Sequence, residues 1–371
     1  MVAQVGPAMT GRPRRYAPRE RTKRPLESSL SANAPPSTPH LSPIAHEEGW
    51  YLPSPLASRL HQKSALGKPT KDGGIVLTAE EVMFAHWYRH VPLPSGDAWF
   101  SHQCSIEPRF PQRIIAMDVM RNGGERVVPA VQVSERFPSL SEQTWAIRWE
   151  RAVNWMKHPG YSQVRVQHAR DPVHWIELME WVESVTNHEH IAELCVIDDE
   201  FDATVYRLSV ESPSGDQITI ESLTSEEQAN IRQSLNQSVS MDDGCFLSQE
   251  NESWPLPSFG VEHFSGRYLR HEEVSYLQGS GQGDNTLIFA DLVQRGLILR
   301  PGFKYGCRWR AYATDVEIEH APWLVQPTEQ APSNWEEVCL AVRLAEGVNK
   351  QWLCAIPLDE RIVYLRIHRT G

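Results

Sequence analysis

The feature that most constrains this chain is an internal repeat: several segments recur in the same order at nearly constant offset, 160 residues between Trp175 and Trp335. IIAMDVMRNGG from Ile114 is matched by LIFADLVQRGL from Leu287, with Asp118 and Asp291 each five residues before a glycine, Gly123 and Gly296. VRVQ before Trp175 is matched by WLVQ before Trp335. LCVIDDEFDATVYRLSV from Leu194 is matched by LCAIPLDERIVYLRI from Leu353. A period of this length is too long for a solenoid and suits a duplicated domain. Each tryptophan opens a stretch with helical apolar spacing, Trp175, Leu178, Val182 and Val185 in one copy and Trp335, Val338, Val342 and Ala345 in the other. The segments that follow read as strand, acidic turn, strand. The fold class predicted is therefore mixed α/β in two copies, one at about 46–213 and one at about 246–371, within a chain of 371 residues.

The remaining segments are different in kind. Residues 1 to about 45 hold seven basic groups against Glu20 and Glu27, with eight prolines and few aliphatics, a composition that cannot bury a core. Such a tail is either an arm that adds RNA affinity or a passive extension. Between the copies, 214–245 reads as a polar linker with one short helix, because Thr224 followed by Glu226 and Glu227 has the form of an N-cap with acid in the first turn. The six cysteines include no CxxC pair, which argues against a zinc site and a disulfide framework. No apolar run is long enough to span a bilayer, and the first 25 residues lack a signal-peptide core, so the expectation is a cytoplasmic protein without a membrane partner.

A net charge of −11 is unfavourable for binding nucleic acid, so the distribution of cations must decide. From Arg295 to Arg310 the chain carries Arg295, Arg300, Lys304, Arg308 and Arg310 with no acidic residue, interleaved with Phe303, Tyr305 and Trp309. Cations there could neutralise phosphates while aromatic faces stack unpaired bases; the alternative is a hairpin with solvated charges. Directly after the patch come Tyr312 and His320, and Lys350 lies between the second amphipathic helix and the next strand. The first copy has no equivalents: near-ungapped alignment sets Tyr161 opposite His320, His190 or Ile191 opposite Lys350, and no tyrosine opposite Tyr312. A metal nuclease would need Asp and Glu converging with a lysine, whereas near Lys350 only Glu337 and Glu346 are candidates, on a helix that reads as surface. His188 and His190 in HEH have no third ligand and read as a loop. No metal and no cofactor are expected.

DLVQRGLILRPGFKYGCRWRAY from Asp291, EHAPWLV around His320 and CLAVRLAEGVNK ending at Lys350 resemble the archaeal tRNA-intron endonucleases and the catalytic subunits of the eukaryotic splicing endonuclease. The resemblance covers about 70 residues well and reaches the first half only through the repeat and LTAEEVMFAHW at Leu77. It implies two tandem units, each a small N-terminal α/β subdomain plus a restriction-endonuclease-like C-terminal subdomain. It also implies metal-independent cleavage of precursor tRNA at both exon–intron junctions of a bulge-helix-bulge, leaving 2′,3′-cyclic phosphate and 5′-hydroxyl ends. The family's catalytic tyrosine falls on Tyr312, its histidine on His320 and its lysine on Lys350, with roles of base, acid and charge stabiliser. A base-clamping arginine falls on Arg343 and a second on Arg366, with Arg300, Lys304 and Arg308 as further RNA contacts. Pro322 and Trp323, after the histidine, depart from the smaller residues usual there.

One chain supplies one such site and the family needs two, so the resemblance implies a homodimer. In the family an acidic turn of the non-catalytic unit enters a basic pocket of the partner chain, and Asp198, Asp199, Glu200 and Asp202 occupy that position. A plain hairpin turn is the other reading of those four residues. A catalytically silent RNA-binding or scaffold subunit is the other reading of the whole chain.

Overall fold

The computed structural model describes residues 41–94, 98–248 and 254–370, which form two compact units. Most of the N-terminal tail lies outside the described residues. The first unit comprises the chain up to Val128 together with Trp149–His158. Its elements are β1 (Ile44–His46), β2 (Gly49–Leu52), α1 (Leu56–Ser64), β3 (Lys68–Pro69), β4 (Ile75–Leu77), α2 (Ala79–Arg89), α3 (Ala98–Ile106), α4 (Phe110–Met120) and most of β5 (Arg126–Pro129). The four short strands make an antiparallel sheet in the order β1-β2-β4-β3. α2 starts where it does because Thr78 and Glu81 form a capping box, each side chain accepting a backbone N–H of the other. The second oxygen of Glu81 accepts from the backbone of Gly67 at 2.8 Å. Glu81 is fully buried, and desolvation raises its carboxyl pKa to about 7.

The second unit comprises Pro129–Arg148 and everything from Pro159. It contains α5 (Ala130–Val133), β6 (Ala146–Trp149), β7 (Ser162–His168), α6 (Trp175–Asn187), β8 (Ile191–Ile197), β9 (Ala203–Glu211), α7 (Ser225–Asn236), β10 (Val239–Met241), β11 (Gly244–Ser248), β12 (Val261–His263), β13 (Gly266–Arg270), α8 (His271–Gln278) and α9 (Asp284–Gln294). It ends with β14 (Ile298–Pro301), β15 (Trp309–Tyr312), β16 (Trp323–Pro327), α10 (Trp335–Glu346), β17 (Gln351–Pro357) and β18 (Ile362–Arg369). Nine of its strands lie in one mixed sheet, in the order β14-β15-β16-β17-β18-β9-β8-β7-β6. β7–β8 and β16–β17 are parallel, joined by α6 and α10, and the other neighbours are antiparallel.

The expected helices, strands and turns are present, and the fold is mixed α/β. α6 and α10 pack on one face of the sheet, where Trp175, Leu178, Val182 and Val185 meet Trp335, Val338, Val342, Ala345 and Trp352. α7, α8 and α9 cover the other face, against Trp309, Ala311, Val325, Leu353 and Tyr364. Alternate residues of β17 thus go to opposite cores, so the strand reads as an unbroken apolar run.

The polar stretch 214–245 is tied to the second of these cores. Thr224 and Glu227 form the capping box of α7, and Ile231 and Leu235 are buried in the second core. Gly215 donates to the carbonyl of Arg295 at 2.9 Å, and Asp216 donates to the carbonyl of Ala313 at 3.0 Å. A Cβ on Gly215 would sit 2.3 Å from the carbonyl oxygen of Gly296, so glycine is required where these two backbones meet. Among the described residues no helix is long and apolar enough to cross a membrane.

Candidate active site

Strand register brings the candidate residues to one end of the sheet. Ala311 pairs with Trp323 and Trp323 with Gln351, so Tyr312 at the end of β15, the loop before β16 and Lys350 just before β17 converge. Arg310 and Tyr312 share one face of β15, because Trp309 and Ala311 take the other face into the core. Tyr312 is 7 % exposed and packs with Ile298 and Ala321. The backbone after it is strapped by the bond from Asp216 to Ala313.

Lys350 is presented by the tight ending of α10. Asn349 takes φ of 55°, and the Lys350 N–H donates to Ala345 at 2.9 Å. Its Nζ donates to the carbonyl of Ala321 at 2.6 Å, one residue beyond His320. The lysine therefore fixes the loop that carries the histidine. Burial and then the charge of Arg310 lower the Lys350 pKa from the ordinary lysine value. The ring of His320 is exposed, on a loop turned by bonds from Ile318 and Glu319 to the carbonyl of Asp315.

Two residues were not singled out from the sequence beyond their place in the basic patch. The guanidinium of Arg310 lies 5.7 Å from the centroid of the Tyr312 ring and 5.9 Å from that of Tyr305. Lys350 Nζ lies 5.8 Å from the centroid of the same Tyr305 ring. Tyr305 and Arg310 thus bridge the tyrosine and the lysine. The only signal available beforehand was the alternation of aromatic and basic residues before Tyr312.

The residues expected to contact RNA do not gather here. Arg300 points into the subdomain, donating to the carbonyls of Ser258 and Gly260 at 3.1 Å each and lying 3.5 Å from Glu273. Arg308 is ion-paired with Glu272, whose other oxygen accepts from the indole of Trp309 at 3.0 Å. Lys304 is exposed near the ring of Phe303. Arg366 holds Glu211 at 3.2 Å. Arg343 is exposed on α10 and lines a groove of about 650 Å³ with Asp198, Glu200, Asp202, Tyr206 and Arg369.

Within the acidic turn two of the four carboxylates have local duties. Asp198 accepts from the backbones of Glu200 and Asp202 at 2.9 Å each and shapes the turn. Asp199 is paired with Arg170 and lies 3.3 Å from Nε2 of His168.

The first half has the same register with different chemistry. Ser162 pairs with Ile191 as Trp323 pairs with Gln351, so His190 stands where Lys350 stands and Tyr161 falls opposite Pro322, one residue off the alignment with His320. Arg148 corresponds to Ala311, and the next residue, in the place of Tyr312, is the buried Trp149. A fully buried Glu193 there binds Arg148 at 2.8 Å, Arg207 at 3.2 Å and the hydroxyl of Ser162 at 2.7 Å.

The site is therefore a tyrosine, a lysine and a histidine-bearing loop at one strand end of a two-faced α/β sheet. Residues 284–364 match the family model of the tRNA intron endonuclease, catalytic C-terminal domain. The chain is 27% identical to the tRNA-splicing endonuclease of Methanosarcina mazei over 364 aligned positions, covering 84% of this chain and 94% of that protein. It is 30% identical to that of Picrophilus torridus over 132 positions, 36% of this chain and 44% of that protein. It is 29% identical to that of Thermoplasma volcanium over 175 positions, 47% of this chain and 54% of that protein. The chain thus spans about half the length of the last two. The C-terminal part of the chain is thus similar to the catalytic domain of that family, and most of the chain aligns with the Methanosarcina mazei protein.

Proposed function

We propose that this chain cuts precursor tRNA at the two exon–intron junctions of a bulge-helix-bulge, without a metal ion. The observation that carries this is the convergence of Tyr312, Lys350 and the His320 loop, with Lys350 anchored on the carbonyl next to the histidine. Tyr312 takes the proton of the 2′-hydroxyl adjoining the cut, and the 2′-oxygen attacks its own phosphorus. The bond from phosphorus to the 5′-oxygen breaks as His320 protonates that oxygen, and the products carry a 2′,3′-cyclic phosphate and a 5′-hydroxyl. Lys350 stabilises the charge that builds on the pentavalent phosphorus. Imidazole suits the acid because it titrates near neutrality. Incubation with intron-containing precursor tRNA in EDTA tests the reading: cutting to cyclic-phosphate ends supports it, and binding without cutting supports a scaffold subunit.

The reading includes a tandem of two related units, the second catalytic. Supporting it, both small sheets have the same strand order, β1-β2-β4-β3 and β10-β11-β13-β12. Glu273 at the start of α8 accepts from Gly260 as Glu81 accepts from Gly67. The order strand, strand, helix, strand, strand recurs in the large sheet, where β9 and β18 lie side by side.

We further propose a homodimer, which supplies two sites per assembly, with the acidic turn of one chain in a groove of its partner. A groove of about 750 Å³ carries Arg270, His271 and Arg308 among Asp242, Asp243 and Glu272, so cations for the turn stand there beside acids. Glu200 and Asp202 of the turn have no ion pair among the described residues, which leaves them for such a groove. Sedimentation across a concentration series tests the dimer; a monomer at working concentration overturns it.

A further inference from the structure

Cations of the basic patch fall into two groups. Arg295 is paired with Asp291 at 2.6 Å, Arg300 with Glu273, and Arg308 with Glu272. Arg310 and Lys350 have no carboxylate within ion-pair distance among the described residues, and their donors go instead to backbone carbonyls, Pro301 at 3.0 Å and Ala321 at 2.6 Å. A hydrogen bond to a carbonyl orients a cation without neutralising it.

The surroundings raise the electrostatic cost. Arg310 stands directly across from Arg300 in the β14–β15 register, where like charges oppose each other. Glu273 cannot balance both strands, because it already serves Arg270 at 2.7 Å as well as Arg300 at 3.5 Å. Lys350 adds its charge on the Tyr305 ring that Arg310 also meets. The field is strong enough that Arg310 contributes to holding the Lys350 ammonium below its ordinary range. Positive charge without a carboxylate partner at a half-buried strand end favours an incoming anion. The rings of Tyr305 and Tyr312, 5.9 and 5.7 Å from the guanidinium, attract it without cancelling its charge.

We propose that Arg310 is a substrate-binding residue of this site, taking a backbone phosphate of the RNA beside Tyr312 while Lys350 takes the scissile one. This rests on the endonuclease reading above. It moves the phosphate contact away from Arg300 and Arg308, which are already paired with Glu273 and Glu272. A guanidinium suits the task because its planar fork gives a phosphate two parallel N–H bonds.

The test uses the full-length chain and a precursor tRNA with 2′-deoxyribose at both cut sites, which binds but cannot be cut, so affinity is read apart from chemistry. Arg310→Gln should weaken binding of this RNA about tenfold at 150 mM salt and reduce the slope of log K against log salt by about one. Arg310→Lys should keep the slope while losing part of the affinity, which separates lost charge from lost fold, and melting curves of both variants check the fold directly. Arg308→Gln, measured alongside, should leave the slope unchanged. Unaltered affinity and slope in Arg310→Gln overturn the proposal, even if cleavage slows, because Arg310 would then act only by positioning Tyr312. Failure of the unsubstituted protein to cut the all-ribose RNA would instead defeat the endonuclease reading, and the salt slope would still decide whether Arg310 meets phosphate.

Discussion

Replacing Glu193 by alanine should cost the second unit about 3 kcal/mol of stability and leave chemistry at the active site intact. The side chain of Glu193 is 0% exposed and serves Arg148, Arg207 and Ser162 together. Removing one member of a buried ion pair costs about 3–5 kcal/mol, chiefly because the partner charge is left without compensation. Here the side chain of Arg207 is 40% exposed and regains water readily, whereas that of Arg148 is 16% exposed and does not, so the lower end of that range applies. For a unit of this size the loss corresponds to a fall in melting temperature of about 6–12 °C. Calorimetry of Glu193→Ala against the unsubstituted protein measures it, repeated at 0.5 M salt, where a buried network is screened little. Glu193 belongs to the half whose strand end holds Trp149 and His190 in place of Tyr312 and Lys350, so single-turnover cleavage at 20 °C should change less than about twofold. A loss under about 1 kcal/mol, or a large fall in cleavage with the fold intact, would refute the structural role of this network.

His320→Ala should lower the cleavage rate by roughly 100-fold or more with precursor-tRNA affinity nearly unchanged, the scale for losing a positioned acid; equal loss of binding would make the residue structural. Lys350→Ala should cost about 3 kcal/mol in the transition state, read as single-turnover rate, and near-full activity would end its assignment. Because burial and Arg310 lower the Lys350 pKa, the ammonium form is present below that lowered value and is lost as pH rises through it. The alkaline limb of the rate profile should therefore lie below the free lysine value of about 10.4, and a limb at or above it would contradict the geometry. Replacing Asp198, Asp199, Glu200 and Asp202 by Asn or Gln should turn the dimer to monomer in sedimentation and reduce cleavage, while unchanged mass and rate would leave the turn without a docking role.

Much of the fold was legible because its elements carry local signals. Trp175 and Trp335 open apolar stripes at helical spacing, and Thr224 with Glu227 announces α7 through a cap. The convergence of Tyr312 and Lys350 followed from resemblance, and the register of β15, β16 and β17 supplies its physical cause. What could not be read was the fate of individual charges. Arg300 and Arg308 look equivalent to Arg310 along the chain, yet Glu273 and Glu272 of α8 reach the first two and not the third. Those acids lie in an element 27 or more residues earlier, and spacing along β14 and β15 contains nothing about them. Glu193 was hidden for the same reason: one acid near the start of an apolar strand gives no notice that arginines of β6 and β9 will close on it.

The same comparison shows how one strand register carries different side-chain chemistry in the two halves. Arg148 and Arg207 of the first half occupy the strand positions of Ala311 and Arg366, and Glu193 occupies that of Leu353. In the first half two cations near the strand end are consumed by a carboxylate buried between them, and the side chain opposite Tyr312 is an indole with no acidic proton to exchange at neutral pH. In the second half an apolar leucine and an alanine take the places of Glu193 and Arg148 on the core face, and Arg310, on the other face of β15, donates to a backbone carbonyl, as Lys350 does. The two halves thus differ in where a few carboxylates lie, on a strand register that they share.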